Sequence, residues 1–188
     1  MEKRIQPKRV GTKVIIPCRA SYVHLDAPWS NDDKSEKKYS LSCIIPKDDK
    51  ETIAVIDAAI AEAKQSGVSS KWSGKMPRTL KNPVHDGDVE RPDDEAYKGT
   101  IYLSASSKTA VRTLNRLRQD IPVTDIYSGC YVLVSITFFP YSVSGNGIGA
   151  GLNIVMKTDD GEKIGGGGDS SKDFDGMDLG VDEGLDDM

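Results

Sequence analysis

Two histidines, three cysteines and one run of carboxylates are the residues from which this 188-residue chain could build a catalytic or metal centre. His24 and His85 stand in no spacing that selects a metal and read as ordinary surface or loop residues. Cys18, Cys43 and Cys130 are an odd number without ligand spacing, each inside an apolar run, and read as buried reduced thiols of a reducing compartment. Asp86, Asp88, Glu90, Asp93, Asp94 and Glu95 offer the clustered oxygens that a Mg²⁺-dependent nuclease would use. They lack the Ca²⁺-loop pattern, and Arg91 and Pro92 interrupt them, which points to a salt-bridged loop. The glycines from Gly165 to Gly168 are not followed by Lys-Ser/Thr, so they form no phosphate loop. Gly145, Gly147 and Ala150 match G-x-G-x-x-A, but a strand follows where the pyrophosphate site needs a helix N-terminus. No Ser/His/Asp or Cys/His arrangement stands out. The expectation is a protein without catalytic residues, metal or cofactor.

What remains is a binding surface. Lys13, Arg19, Lys38, Lys98, Tyr102, Lys108, Tyr131, Phe139 and Tyr141 fall on strand sides opposite the apolar stripes. The segment Lys71-Trp72-Ser73-Gly74-Lys75, with Arg78 and Lys81 after it, sets a ring between positive charges in a loop. Cations for phosphates and flat rings for unpaired bases are what sequence-independent binding of single strands requires.

The elements that must position these groups are mostly strands. Val10 to Val23 alternates, with Val14, Ile16, Cys18, Ala20 and Tyr22 on one side, and Pro17 suggests an edge or a bulge. Tyr39, Leu41, Cys43 and Ile45 point inward from a second strand that Pro46 closes. Asp48 or Asp49 caps a helix to about Ser66, with Gly67 as its stop. Its stripe of Ile53, Ile56, Ile60 and Ala63 packs on a sheet. Residues 68 to 97 read as a long loop, and such loops inside compact domains are usually functional. Ile101, Leu103 and Ala105 mark the inner face of the next strand, and Val111 to Arg116 reads as another short one. Tyr131 to Tyr141 and Ile148 to Met156 pair through the turn Ser144-Gly145-Asn146-Gly147. Four to six strands and one helix make a small curved sheet or barrel.

Lys+Arg 25 against Asp+Glu 29 gives a net charge of -4, but the average hides two halves. Residues 169 to 188 hold eight acidic residues and one basic, a charge of -7. The body keeps 24 basic and 21 acidic residues, or +3. A basic body with an acidic tail is an asymmetry that points toward nucleic acid. The domain is expected to span residues 1 to 164. A glycine linker and a disordered tail follow at 165 to 188, where too few apolar residues remain to fold alone. No run of about 18 apolar residues spans a membrane. The N-terminus, positive but without an apolar core or cleavage site, is no secretory signal, so the expected location is the cytoplasm.

Certain strings are uncommon: Lys71-Trp72-Ser73-Gly74-Lys75-Met76-Pro77, Asp86-Gly87-Asp88, Glu90-Arg91-Pro92-Asp93-Asp94-Glu95-Ala96-Tyr97-Lys98-Gly99, Ala105-Ser106-Ser107-Lys108, Tyr127-Ser128-Gly129-Cys130-Tyr131 and Gly149-Ala150-Gly151-Leu152-Asn153. Across roughly residues 8 to 164 they resemble the phage and prophage single-stranded-DNA-binding proteins, long filed as a domain of unknown function. The resemblance implies an oligonucleotide-binding (OB) β-barrel with one packed helix, non-specific binding of single-stranded DNA, and service in phage replication or recombination in the host cytoplasm. It also implies that the tail (Asp173, Phe174, Asp175, Asp178, Asp182, Glu183, Asp186 and Asp187) docks replication or recombination proteins and competes with DNA. Such tails commonly end in an aromatic residue, whereas this one ends Leu185-Asp186-Asp187-Met188. The helix here follows two strand segments, whereas the common OB order places it after three. Either Val10 to Val23 counts twice or the barrel is a variant. A homo-oligomer is neither required nor excluded. Two rival readings stand beside the binder: the Mg²⁺-dependent nuclease using residues 86 to 95, and an adaptor that holds a basic partner by its tail without DNA affinity.

Overall fold

A computed structural model describes residues 4–30 and 34–164 of the chain. The tail residues Asp173, Phe174, Asp175, Asp178, Asp182, Glu183, Asp186 and Asp187 lie outside the described residues. In chain order the strands are β1 (Lys8–Val10), β2 (Lys13–Trp29), β3 (Lys38–Pro46), β4 (Val84–Asp86), β5 (Thr100–Ser107), β6 (Arg112–Leu114), β7 (Tyr131–Tyr141) and β8 (Gly147–Asp159). Helix α1 (Lys50–Ser70) follows β3, and the four-residue α2 (Gly87–Glu90) follows β4.

Five strands close a barrel in the order β5-β3-β2-β7-β8, and the parallel contact of Ser106 with Gly151 returns β8 to β5. Four antiparallel neighbours and one parallel closure are the pairing order of an OB barrel. β2 pairs with β3 through its second half and with β7 through its first, as one strand. It therefore does not count twice: the barrel is a variant, with its helix inserted after the second barrel strand. The interior takes alternate residues from each strand, among them Val14, Ile16, Cys18, Leu41, Cys43, Leu103, Val132, Val134, Ile136 and Phe138, all buried.

Asp49 caps α1, accepting from the Thr52 amide at 3.2 Å and the Thr52 hydroxyl at 2.7 Å. Ile56, Ala59, Ile60 and Ala63 are buried against β7 and β2, while Ile53 is only partly buried. Gly67 is not the stop that its residue type suggests. The helix runs on to Ser70, and a Cβ on Gly67 would come within 2.6 Å of the Trp72 ring and 2.7 Å of Pro140. Glycine is there so that Trp72 can fold back over the helix.

Two further expectations are corrected. Residues 68 to 97 are not one long loop: α1 takes the first three, and β4, α2 and a helical turn at Glu95–Tyr97 order most of the second half. Elements of three or four residues are too short to show a period. Tyr22 is not inward. Its φ of 46° breaks the strand alternation, the pairing with β3 slips between Ser21 and His24, and Leu25 becomes the next inward residue. A left-handed backbone at a bulky residue costs about 1 to 3 kcal/mol, so it persists only where neighbours hold it.

Candidate nucleic-acid interface

The outer surface of the barrel carries a band of small residues bounded by rings. Successive pairings set His24 opposite Ser40, Ser40 opposite Ser106, Ser106 beside Gly151, Gly151 opposite Thr137 and Thr137 opposite Lys13. Each flanks an inward residue in its own strand, so all face outward. Serine and glycine leave the floor low enough for another chain to lie on the sheet.

At one end of the band, Trp29 stacks on His24 with ring centroids 4.4 Å apart and planes 3° from parallel, and 46% of Trp29 stays exposed. At the other end Phe139, 45% exposed, lies across Gly149, its direct partner on β8. Tyr141 covers Gly147 in the same way. A ring laid on a glycine is held flat with one face to solvent. Lys38 and Lys108 stand two residues outside Ser40 and Ser106, and Lys13 ends the row. Lys108 lies 3.7 Å from Glu36 with both side chains exposed, a pair that water screens and that leaves the lysine open to a stronger anion.

Of the residues singled out by sequence, Lys13, Lys38, Lys108 and Phe139 thus meet on one band. Tyr141 joins them at its far end, where Lys71, Lys75 and Arg78 are exposed on the loop after α1. Trp72 belongs to the core: it is 7% exposed, its indole N–H donates to the Tyr141 carbonyl at 3.2 Å, and it fastens that loop to β7. Arg19 and Tyr131 lie at the opposite end of β2 and β7, roughly 20 Å along the strand from Lys13. Arg19 sits over the Tyr131 ring at 5.8 Å and donates to the carbonyls of Gly129 and Glu162 at 3.1 and 2.6 Å. Its guanidinium is engaged in holding residues 161 to 164 and is not free for phosphates.

Tyr102 does face outward, but it is covered. β4 pairs beside β5, and the segment from it to Lys98 lies as a strap against the sheet, burying Tyr102 with Ile44 and Tyr97 in a second apolar cluster that Ile164 joins. Lys98, exposed, lies on this strap. The Tyr102 hydroxyl donates to Glu90 at 3.1 Å, and the ring stacks on His85 at 5.1 Å and meets Tyr97 edge-on at 5.0 Å. Burial pushes the Tyr102 and Tyr97 hydroxyls up from their ordinary range, so both stay protonated donors. Lys47 anchors the strap with contacts of 2.9 Å to Asp86 and 2.7 Å to Asp88. The ammonium of Lys47 lowers the Asp86 carboxyl, while the Gly99 amide, followed by Lys47, lowers that of Asp88. Both carboxylates therefore keep their charge, and their hold on the strap, until the pH falls through these lowered values. Of the run that could have collected Mg²⁺, Asp86 and Asp88 are salt-bridged to Lys47, while Arg91, the partner the sequence suggests, faces tyrosines instead.

Sequence reasoning missed Trp29, His24 and Tyr22. Trp29 stands beyond the alternating stretch Val10 to Val23 that marks the first strand, His24 reads only as a surface or loop residue without metal spacing, and a left-handed tyrosine has no signature in sequence.

Comparison with known proteins places the chain in a family and a fold. A family model described as the single-stranded-DNA-binding protein of Enterobacter phage Enc34 matches residues 12–185. Putative protein p50 of Acyrthosiphon pisum secondary endosymbiont phage 1 is 30% identical over 179 residues, covering 89% of this chain and 94% of that protein. Among solved structures, the single-stranded DNA-binding protein of bacteriophage Enc34 in complex with single-stranded DNA superposes with a TM-score of 0.72 at 29% identity, over 88% of this chain and all of that one. The gp2.5 single-stranded DNA binding protein of bacteriophage T7 shares the fold, with a TM-score of 0.58 at 13% identity over 82% of this chain and 94% of that one.

Proposed function

This chain belongs to the phage single-stranded-DNA-binding protein family of the Enterobacter phage Enc34 type, and from that premise we propose that it coats single-stranded DNA without sequence preference during phage replication or recombination in the host cytoplasm. The observation that carries the reading is the outward row from His24 to Lys13, a floor of serine and glycine with half-exposed rings at both ends. Unpaired bases stack on such rings, whereas a duplex hides its base faces. Lys13, Lys38 and Lys108 supply the phosphate contacts, joined by Lys71, Lys75 and Arg78 beyond Tyr141. The role is binding with no chemical step. Asp86, Asp88 and Glu90, which a nuclease would need for metal, are engaged by Lys47, His85 and Tyr102.

Titration of the chain with a labelled oligo-dT at several salt concentrations tests the assignment. Each true phosphate contact should contribute about 0.7 to the slope of log affinity against log salt, so Lys38→Ala and Lys108→Ala should each lower the slope by about that amount. Wild-type slopes in both variants would place the strand elsewhere.

The acidic tail is assigned two roles, docking of replication or recombination proteins and competition with DNA for the band. Support comes from where it starts. The Ile164 amide donates to Ser128, and its side chain packs on the cluster of Ile44, Tyr97 and Tyr102, so the glycine linker begins beside the strap. A short tether keeps the tail near millimolar effective concentration. Deleting residues 169 to 188 should tighten oligo-dT binding at low salt, with a gain that shrinks as salt rises. Weaker binding by the truncated chain would remove the competitor role.

A further inference from the structure

Tyr22 is turned out of the barrel by a break in the strand geometry of β2. Ala20 is buried at its place in the alternation, and Tyr22 two residues on would follow it inward. Instead, the left-handed φ of 46° and the register slip after Ser21 leave the ring outside, 48% exposed. Local irregularities of this kind re-aim side chains and recur beside functional sites.

The strap holds the ring where the backbone puts it. The Arg91 guanidinium lies over the Tyr22 ring at 4.8 Å from its centroid, and one of its nitrogens donates to the Tyr22 hydroxyl at 2.8 Å. The same guanidinium lies against Tyr97 and Tyr102, at 5.1 and 5.3 Å, so the strap fixes it in turn. A ring gripped at its edge and by a cation, yet half open to solvent, is preorganised for one more flat partner. It stands two residues before His24, at the start of the band.

We propose that Tyr22 stacks on an unpaired base of the bound strand and that Arg91 is its positioning residue, acting on DNA through the tyrosine. The inference rests on the single-strand reading above and adds a stacking position where the strap meets the band. A ring needed only for packing would be served by the inward place that strand alternation already offers. Arg91, wedged among three tyrosines, contributes orientation and leaves phosphate contacts to the lysines.

The experiment uses full-length chain and labelled oligo-dT, with melting curves for every variant. Tyr22→Asn removes the ring and keeps a residue that tolerates the left-handed backbone, and Tyr22→Gly is a second variant suited to it. Either should weaken binding by about 5- to 150-fold without changing the salt slope, since a ring carries no phosphate contact. Arg91→Met should weaken binding several-fold at unchanged slope. The double variant Tyr22→Asn with Arg91→Met should bind no worse than Tyr22→Asn alone, because Arg91 has nothing left to position. Wild-type affinity in folded Tyr22→Asn and Tyr22→Gly, while Trp29→Ala loses affinity, would overturn the stacking role and leave the single-strand reading standing. Additive losses, or a slope lowered by about 0.7 in Arg91→Met, would overturn the positioning role in favour of a direct phosphate contact. Absence of oligo-dT binding by the wild-type chain would overturn the proposal together with the reading it rests on.

Discussion

Replacing Trp29 by alanine is expected to weaken oligo-dT binding by about 1 to 3 kcal/mol, the usual worth of one base stacked on an aromatic ring. His24 covers one face of the indole, so a base has the other face, and the ring is held without ordering a free side chain on binding. The two tryptophans make the result easy to read. Trp72 is buried and bonded to the Tyr141 carbonyl, so its emission reports packing. Trp29 is half exposed, so quenching by DNA should come from it and vanish in Trp29→Phe. Fluorescence anisotropy of a labelled oligonucleotide gives the affinity, and intrinsic emission gives the assignment. Quenching that persists undiminished in Trp29→Phe would take Trp29 out of the contact and contradict that end of the band.

The largest effect on stability is expected one strand away. Phe138 is 1% exposed in the barrel core, and its amide donates to the Thr12 carbonyl at 2.9 Å. Phe138→Ala should cost about 3 to 5 kcal/mol, because the surrounding strands cannot collapse into the cavity left behind. That is a large part of the 5 to 15 kcal/mol typical of a domain. Urea unfolding should show a lower midpoint at an unchanged slope. Phe139, its neighbour, points the other way and is 45% exposed. Phe139→Ala should cost less in stability and weaken DNA binding instead. Equal stability losses at the two positions would mean that Phe139 belongs to the packing.

Much of this division was legible in the sequence. Alternation in Tyr131 to Tyr141 separates the inward Val132, Val134, Ile136 and Phe138 from the outward Tyr131 and Phe139, and the structure keeps both sets. A cap at Asp48 or Asp49 was legible because a short acidic side chain ahead of an apolar stripe has one common use, and the structure makes it Asp49. Alternation failed where the backbone leaves strand geometry. Tyr22 was assigned inward because nothing in Ser21-Tyr22-Val23 announces a left-handed residue. Tyr102 was placed on the outer face correctly, but its cover comes from residues 84 to 97, whose elements are too short for a period. Trp72 read as a loop ring between cations, and its burial depends on Gly67 five residues back and on Tyr141 far along the chain, a fit that residue spacing does not encode. Lys13, Lys38 and Lys108 could be named one by one, but only the register around the barrel shows that they share a row.

The central claim is that the outward band from Trp29 to Phe139 holds DNA by its unpaired bases. It is tested most directly by titrating the chain, followed by Trp29 emission, with an oligonucleotide and with the duplex of the same length in one salt. Much tighter binding of the single strand, with quenching of Trp29 and a salt slope set by the lysines of the band, is the predicted result. Equal affinity for strand and duplex, with Trp29 emission unchanged by either, would contradict it.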